Sequence, residues 1–243
     1  MRALRSVVHG IGELCITLGV LLLLFVAWQL WWTDVVAGRA QEQTARELVQ
    51  TWEPPPRGSK APPVVQAADP GKGATLAQIP MGRAFALIRV PRFGRDYVRP
   101  VLQGTELSVL DEGVGHYDTS VGPGQVGNFA VAGHRVTYAK PFNEIAELRS
   151  GDAVVVETRT TYYVYRVVGH TIVTPDRVDV VAPVPERPGA KPTTAMMTMT
   201  ACHPEFSARL RYIVYSALSQ TIPKTSGRVP AVLAAAAPST SRS

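Results

Sequence analysis

Residues 195–218 read AMMTMTACHPEFSARLRYIVYSAL, and this stretch decides the fold. Its two halves, Ala195–Cys202 and Arg211–Leu218, are apolar runs set with Thr, Ile, Val and Tyr, the composition of strands. Pro204 has no N–H to give a central sheet, so the first run ends at Cys202-His203. A turn through Glu205–Leu210 lays the second run antiparallel beside the first and brings Arg211 next to the Cys202 thiol.

The same pattern extends upstream. Phe85–Val90, Tyr97–Leu102, Asn128–His134, Ala153–Thr158 and Tyr162–Val173 are further strand candidates, the first two separated by the turn Pro-Arg-Phe-Gly at 91–94. Short helices are expected at Thr105–Leu110 and Phe142–Leu148. Seven or eight short strands with few helices argue for a mostly β domain, a barrel or a sandwich, over residues 81–219.

Ahead of it, Leu14–Trp32 reads LCITLGVLLLLFVAWQLWW, 19 residues without a charge. As a helix it spans about 28 Å, close to the hydrocarbon core of a bilayer. Trp28, Trp31 and Trp32 crowd its C-terminal end, as in an aromatic belt. Arg2 and Arg5 precede it, which by the positive-inside rule puts residues 1–13 in the cytoplasm and the remainder outside. The run is longer than a signal-peptide h-region, and bulky Trp residues lie just before the small residues at 37–40, so an uncleaved transmembrane anchor is expected.

Residues 33–80 read as an extracytoplasmic stalk. Ala40–Trp52 suits a short polar helix, stopped by Pro54-Pro55-Pro56. From Pro54 to Pro80 there are seven prolines in 27 residues, an extended spacer that would hold a domain off the membrane. Residues 220–243, rich in Ala, Pro, Ser and Thr, read as a disordered C-terminal tail.

Composition excludes several classes. The 243 residues are 18% charged and 46% hydrophobic, unlike a disordered chain. Gly and Pro total 40, without a G-X-Y period, so collagen is excluded. The net charge of +6 comes without a dense Lys/Arg block, so no nucleic-acid partner is expected. Two Cys residues are too few for a disulfide scaffold or a thiolate metal site, and neither metal nor other cofactor is expected.

Cys15 lies in the anchor and reads as a small buried hydrophobe. Cys202 is then the single exterior thiol, placed at a strand end where reactive groups are displayed. A thiol nucleophile needs a base, and acyl transfer needs a group for the oxyanion. His134 ends Asn-Phe-Ala-Val-Ala-Gly-His, another strand end, and is favoured over His116 and His170 as the base. His203 adjoins Cys202, but adjacent side chains in a strand face opposite ways. Arg211 is a candidate for holding the oxyanion, with Arg209 a competitor on the same face.

Gly124–Arg135 (GQVGNFAVAGHR), Thr198–Pro204 (TMTACHP) and Arg211 before an aliphatic strand, in the order His, Cys, Arg, resemble the sortases, and class E sortases in particular. The resemblance covers about Phe85–Ser219. It implies an eight-stranded sortase β-barrel and a membrane-anchored cysteine transpeptidase. Such an enzyme cleaves a C-terminal LAxTG-like or LPxTG-like signal of secreted proteins between Thr and Gly. It then joins the protein to an amine of a peptidoglycan precursor in the cell wall. Cys202 is implied as nucleophile, His134 as acid and base, Arg211 as oxyanion and substrate holder. Tyr117, Ala201 and His203 are implied neighbours of substrate. The family often carries Thr where this chain has Ala201, which puts a substrate-orienting hydroxyl in doubt.

Other thiol enzymes fit less well. Papain-like enzymes place Cys before His, and L,D-transpeptidases carry a Ser-His-Gly-Cys segment absent here. An anchored, non-enzymatic β-domain binding wall polymer or protein is the reading in which Cys202 is buried and dispensable.

Overall fold

The computed structural model describes residues 2–52 and 79–234. The proline-rich spacer therefore lies almost wholly outside the described residues, as does the end of the tail. Helix α1 (Arg2–Trp52) comes first. Strands β1 (Ala84–Arg89) and β2 (Val98–Gln103) follow, then the one-turn helix α2 (Leu107–Leu110). After these come β3 (Val114–His116), β4 (Gly127–Ala132), β5 (Ala153–Glu157) and β6 (Thr161–Val173). The chain ends with β7 (Ala195–His203), β8 (Leu210–Pro223) and the short α3 (Ala231–Ala234).

The eight strands close into a barrel in the order β1-β2-β3-β4-β7-β8-β6-β5. Pairs β2–β3 and β4–β7 are parallel. The remaining neighbours are antiparallel. Alternation along each strand fills the interior. Phe129 and Val131 of β4, Met197, Met199 and Ala201 of β7, and Tyr212 and Val214 of β8 belong to one buried cluster. Each large apolar side chain buried there contributes roughly 1.5–3 kcal/mol. The intervening residues of these strands face outward, which decides where the functional groups lie.

β3 is the strand that the sequence reading omits. It has three residues, and Gly115 at its centre admits a close approach: a Cβ there would lie 2.4 Å from the Gly104 carbonyl oxygen. A segment so short shows no alternation to read. The expected helix at Phe142–Leu148 is a 3-10 turn at Ile145–Glu147.

Two boundaries differ from expectation. First, α1 does not stop after the apolar run and restart at Ala40. No proline stands between Trp32 and Trp52 and the single Gly38 is tolerated, so the helix is continuous. Its last third is not a free stalk. Gln41, Ala45, Leu48 and Trp52 recur at helical spacing and form a stripe. Ala45 and Leu48 bury against Leu87, with Val49, Trp52, Ala84 and Val98 around them. Second, the fold runs past Ser219. The outer end of β8 pairs with β6 as far as Thr161 opposite Pro223. Lys224 then bonds Glu157 at 2.8 Å and lies over the rings of Trp52 and Tyr162, while Val232 and Leu233 pack near Val155 and Val164. The polar sequence of this segment hides a strand because one of its faces is solvated.

Among the described residues, one helix, α1, is long and apolar enough to cross a membrane.

Candidate active site

β7 carries the thiol. Met197, Met199 and Ala201 point inward, so Thr198, Thr200 and Cys202 point outward. Cys202 sits at the strand's end, half-buried, with a free thiol. Its partner across β8 is Arg211. Tyr212 and Val214 are interior, so Arg211 shares the outer face with Cys202. Arg209 lies before β8, exposed and outside the ladder, and this settles which arginine adjoins the thiol.

β4 lies on the other side of β7 and leads into His134. Its parallel register with β7 ends at Ala132 opposite Thr200, and the Gly133 N–H still donates to the Thr200 carbonyl at 3.1 Å. β4 ends at Ala132, and His134 follows two residues later, beside the strand that carries Cys202. Gly133 is required: a Cβ there would meet the Phe142 ring at 2.8 Å. Cys202 thus stands on the middle strand of three, with His134 on one flank and Arg211 on the other.

The imidazole is held on two sides. His134 Nε2 lies 2.9 Å from Asp111 Oδ1, at the C-terminal cap of α2. With Nε2–H donated to that carboxylate, Nδ1 keeps the lone pair that can take a thiol proton. Tyr138 stacks on the ring at 5.3 Å between centroids. Arg211 Nη1 donates to the carbonyls of Ala208 (2.8 Å) and Leu210 (3.0 Å). These bonds engage two of the five guanidinium donors, and the others suit an oxygen.

Arg135 is a member of the site that the sequence reading quoted but gave no role. It is 7% exposed and reaches the backbone of the thiol strand. Its Nη1 donates to the Cys202 carbonyl at 3.3 Å and to His203 Nδ1 at 2.7 Å, and its Nη2 lies 3.6 Å from Glu205. The residue after His134 therefore clamps the backbone that carries Cys202.

The three residues expected to neighbour substrate are placed differently from one another. Tyr117 lies beyond β4 from the thiol, its hydroxyl 3.2 Å from that of Thr200, on the outer face. The Ala201 methyl lies in the core, 3% exposed. The His203 ring is bonded by Arg135 and packs on Tyr212 at 5.6 Å between centroids. Both follow from the two-residue period of a strand, which turns the neighbours of Cys202 away from the face it uses.

The competing histidines sit elsewhere. His116 is fully buried, stacked on Phe129 and bonded to Gln103 (3.0 Å) and Ser120 (2.8 Å). Burial lowers its pKa from 6.5 to about 4, so it is a neutral structural group at pH 7. His170 lies exposed on β6, stacked on Tyr212.

Comparison with known proteins agrees with this geometry. Residues 88–219 match the sortase domain family. The chain is 38% identical over 233 residues to sortase SrtE1 of Streptomyces coelicolor, covering 93% of this chain and 61% of that protein. It is 30% identical to sortase SrtE2 of the same organism, covering 94% of this chain and 88% of that protein. The solved sortase E of Streptomyces avermitilis superposes with a TM-score of 0.57 at 40% identity, over 63% of this chain and 99% of that one. The chain belongs to the sortase family and, with sortase E proteins among both its sequence and its structural relatives, to class E of it.

Proposed function

We propose that this protein is a membrane-anchored cysteine transpeptidase that cleaves an LAxTG-like or LPxTG-like sorting signal and joins the released protein to a cell-wall amine. The observation that carries the reading is the topology: Cys202 on β7 stands opposite Arg211 on β8, and His134 directly follows β4, which pairs with β7 on its other side.

The chemistry balances on these groups. As Cys202 sulfur attacks the Thr carbonyl carbon, the thiol proton passes to His134. The carbonyl oxygen takes up negative charge, which Arg211 meets with its free donors. The C–N bond to Gly breaks, and the proton held by His134 goes to the leaving amine. A thioester then links the Thr carbonyl to Cys202. An amine of a peptidoglycan precursor attacks it, gives its proton to His134, and expels the thiolate, which recovers that proton. One amide is lost and one is made, with no cofactor. Tyr117 borders the signal on the β3 side of the groove.

Residues 14–32 span the membrane in this reading, with 1–13 cytoplasmic and the barrel outside, where secreted substrates and wall precursors are found. The test uses the full chain in detergent micelles with fluorogenic LAxTG and LPxTG peptides, with and without an amine. Cys202→Ala, His134→Ala and Arg211→Ala are assayed beside it. Thiol-dependent cleavage at Thr–Gly, with product joined to the amine, is expected. Cleavage without transfer would make the protein a hydrolase. No cleavage, with Cys202 resisting alkylation until denatured, would favour the anchored binding domain.

A further inference from the structure

The helix that carries the apolar run also touches the segment that holds His134. After His134 the chain makes a turn in which Tyr138, Ala139 and Lys140 all have positive φ, at 52°, 59° and 39°. Three successive left-handed non-glycine residues are costly, and such a conformation persists only where its surroundings impose it. Internal bonds secure the ends of the turn, Lys140 N–H to Thr137 and Asn143 N–H to Lys140.

One face of α1 supplies the rest. Gln41 is 1% exposed and donates from Nε2 to the Tyr138 carbonyl at 2.9 Å. Gly38 lies against Ala139, and a Cβ on it would be 3.7 Å from the Ala139 methyl. Asp34 lies 3.4 Å from the Lys140 ammonium. Positions 34, 38 and 41 are one stripe of a helix, and they meet residues 140, 139 and 138 in turn. The ring presented by this turn, Tyr138, is the one stacked on His134.

We infer that α1, through Gln41, Gly38 and Asp34, is a positioning element for His134. It holds the left-handed turn that keeps Tyr138 against the imidazole, so the anchoring helix and the catalytic base are mechanically coupled. The inference rests on the reading of His134 as acid and base. Gln41 is a positioning residue, acting through Tyr138, and touches no substrate. The Asp34–Lys140 pair is partly exposed and adds little by itself. The buried Gln41 bond carries the coupling, and Gly38 leaves room on α1 for Ala139 beside it.

A double-mutant cycle tests it in the full chain in detergent micelles. Gln41→Leu, Gly38→Leu and Tyr138→Leu are made singly, and each α1 change is combined with Tyr138→Leu. Each single variant is expected to lower kcat by roughly tenfold to a hundredfold, the scale of a displaced catalytic group, with KM within twofold. In the Tyr138→Leu background, Gln41→Leu and Gly38→Leu should add almost nothing, because the stack through which they act is gone. Losses that multiply in the combined variants, or single variants with unchanged kcat, overturn the inference. The His134 imidazole resonances, followed by NMR as pH is varied, report the same coupling without substrate. They should move in Gln41→Leu and Gly38→Leu as in Tyr138→Leu, and unmoved resonances would sink the proposal even in active protein. If no peptide is cleaved at all, the transpeptidase reading fails by itself and the resonances still decide the coupling.

Discussion

Cys202 and Arg211 face each other directly across the β7–β8 ladder, at the point where Arg211 also pairs with Val173 of β6. Arg211 is thereby held from both sides of its strand, while Arg209 belongs to the loop. A guanidinium so placed stabilises charge without having to move at the moment of reaction. Replacing Arg211 by Ala should cost on the order of 10²–10³ in kcat, the range for loss of an oxyanion donor. Arg211→Lys should recover little, because an ammonium lacks the planar fork. Arg209→Ala should stay within about twofold of the parent, given its position outside the ladder and that range of effects. Steady-state rates of peptide cleavage by the three variants decide the matter, and a larger loss at Arg209 would reverse the assignment.

That pair was legible in the sequence because it is local. Pro204 ends one strand, a turn follows, and nine residues separate the two groups. His134 was reached by its strand-end position and the Gly before it, but its alignment with Cys202 depends on a parallel β4–β7 pairing across the whole β5–β6 excursion. No local pattern encodes such a long-range register. Asp111 was missed for the same reason: it caps a one-turn helix 23 residues ahead of the ring it bonds. The docking of α1 was hidden differently. Gln41, Ala45 and Leu48 form a stripe with only three apolar or neutral members in a polar stretch, and this reads as a solvated helix until Leu87 is seen beneath it.

Asp111 should prove to be a positioning residue for the base. Its bond to His134 Nε2 is charge-assisted once the imidazole accepts a proton, and bonds of that kind contribute about 1.5–3 kcal/mol. The carboxyl group is partly exposed, so the lower part of that range applies. Asp111→Ala should reduce kcat by about tenfold, with a smaller loss for Asp111→Asn, whose amide oxygen can still accept from Nε2–H. A fall in kcat with KM nearly unchanged, partly recovered in Asp111→Asn, marks a positioning role. An unchanged kcat in Asp111→Ala would leave Asp111 without a catalytic effect.

Ala201→Thr separates the two ways of looking at the residue before the thiol. A substrate-facing hydroxyl would raise activity. The structure sends this side chain into the interior beside Tyr212, its cross-strand partner. An added methyl and hydroxyl must there displace packed atoms and find a hydrogen-bond partner, at a cost of roughly 1–3 kcal/mol. The expected result is a lower Tm with kcat/KM near the parent value well below melting. A several-fold gain in kcat/KM would place the side chain in the groove instead.

His116 provides a pH signature that is independent of catalysis. Burial holds its pKa at about 4 in the folded protein, against 6.5 for the free side chain. Between those values the unfolded chain binds a proton that the folded chain does not. The contribution of a neutral His116 to stability is therefore complete above about pH 6.5 and is lost as the pH falls through 4. The difference corresponds to about 3 kcal/mol. Carboxylates begin to titrate near the lower end of this window, so the comparison needs a variant without the ring. His116→Gln keeps a polar group between Gln103 and Ser120 but cannot titrate. It should be less stable than the parent in urea unfolding at pH 7, because its amide fits the pair of partners less well. That deficit should shrink by pH 4.5 as the parent alone loses its contribution. A deficit that stays constant from pH 7 to 4.5 would mean that His116 accepts its proton inside the folded barrel.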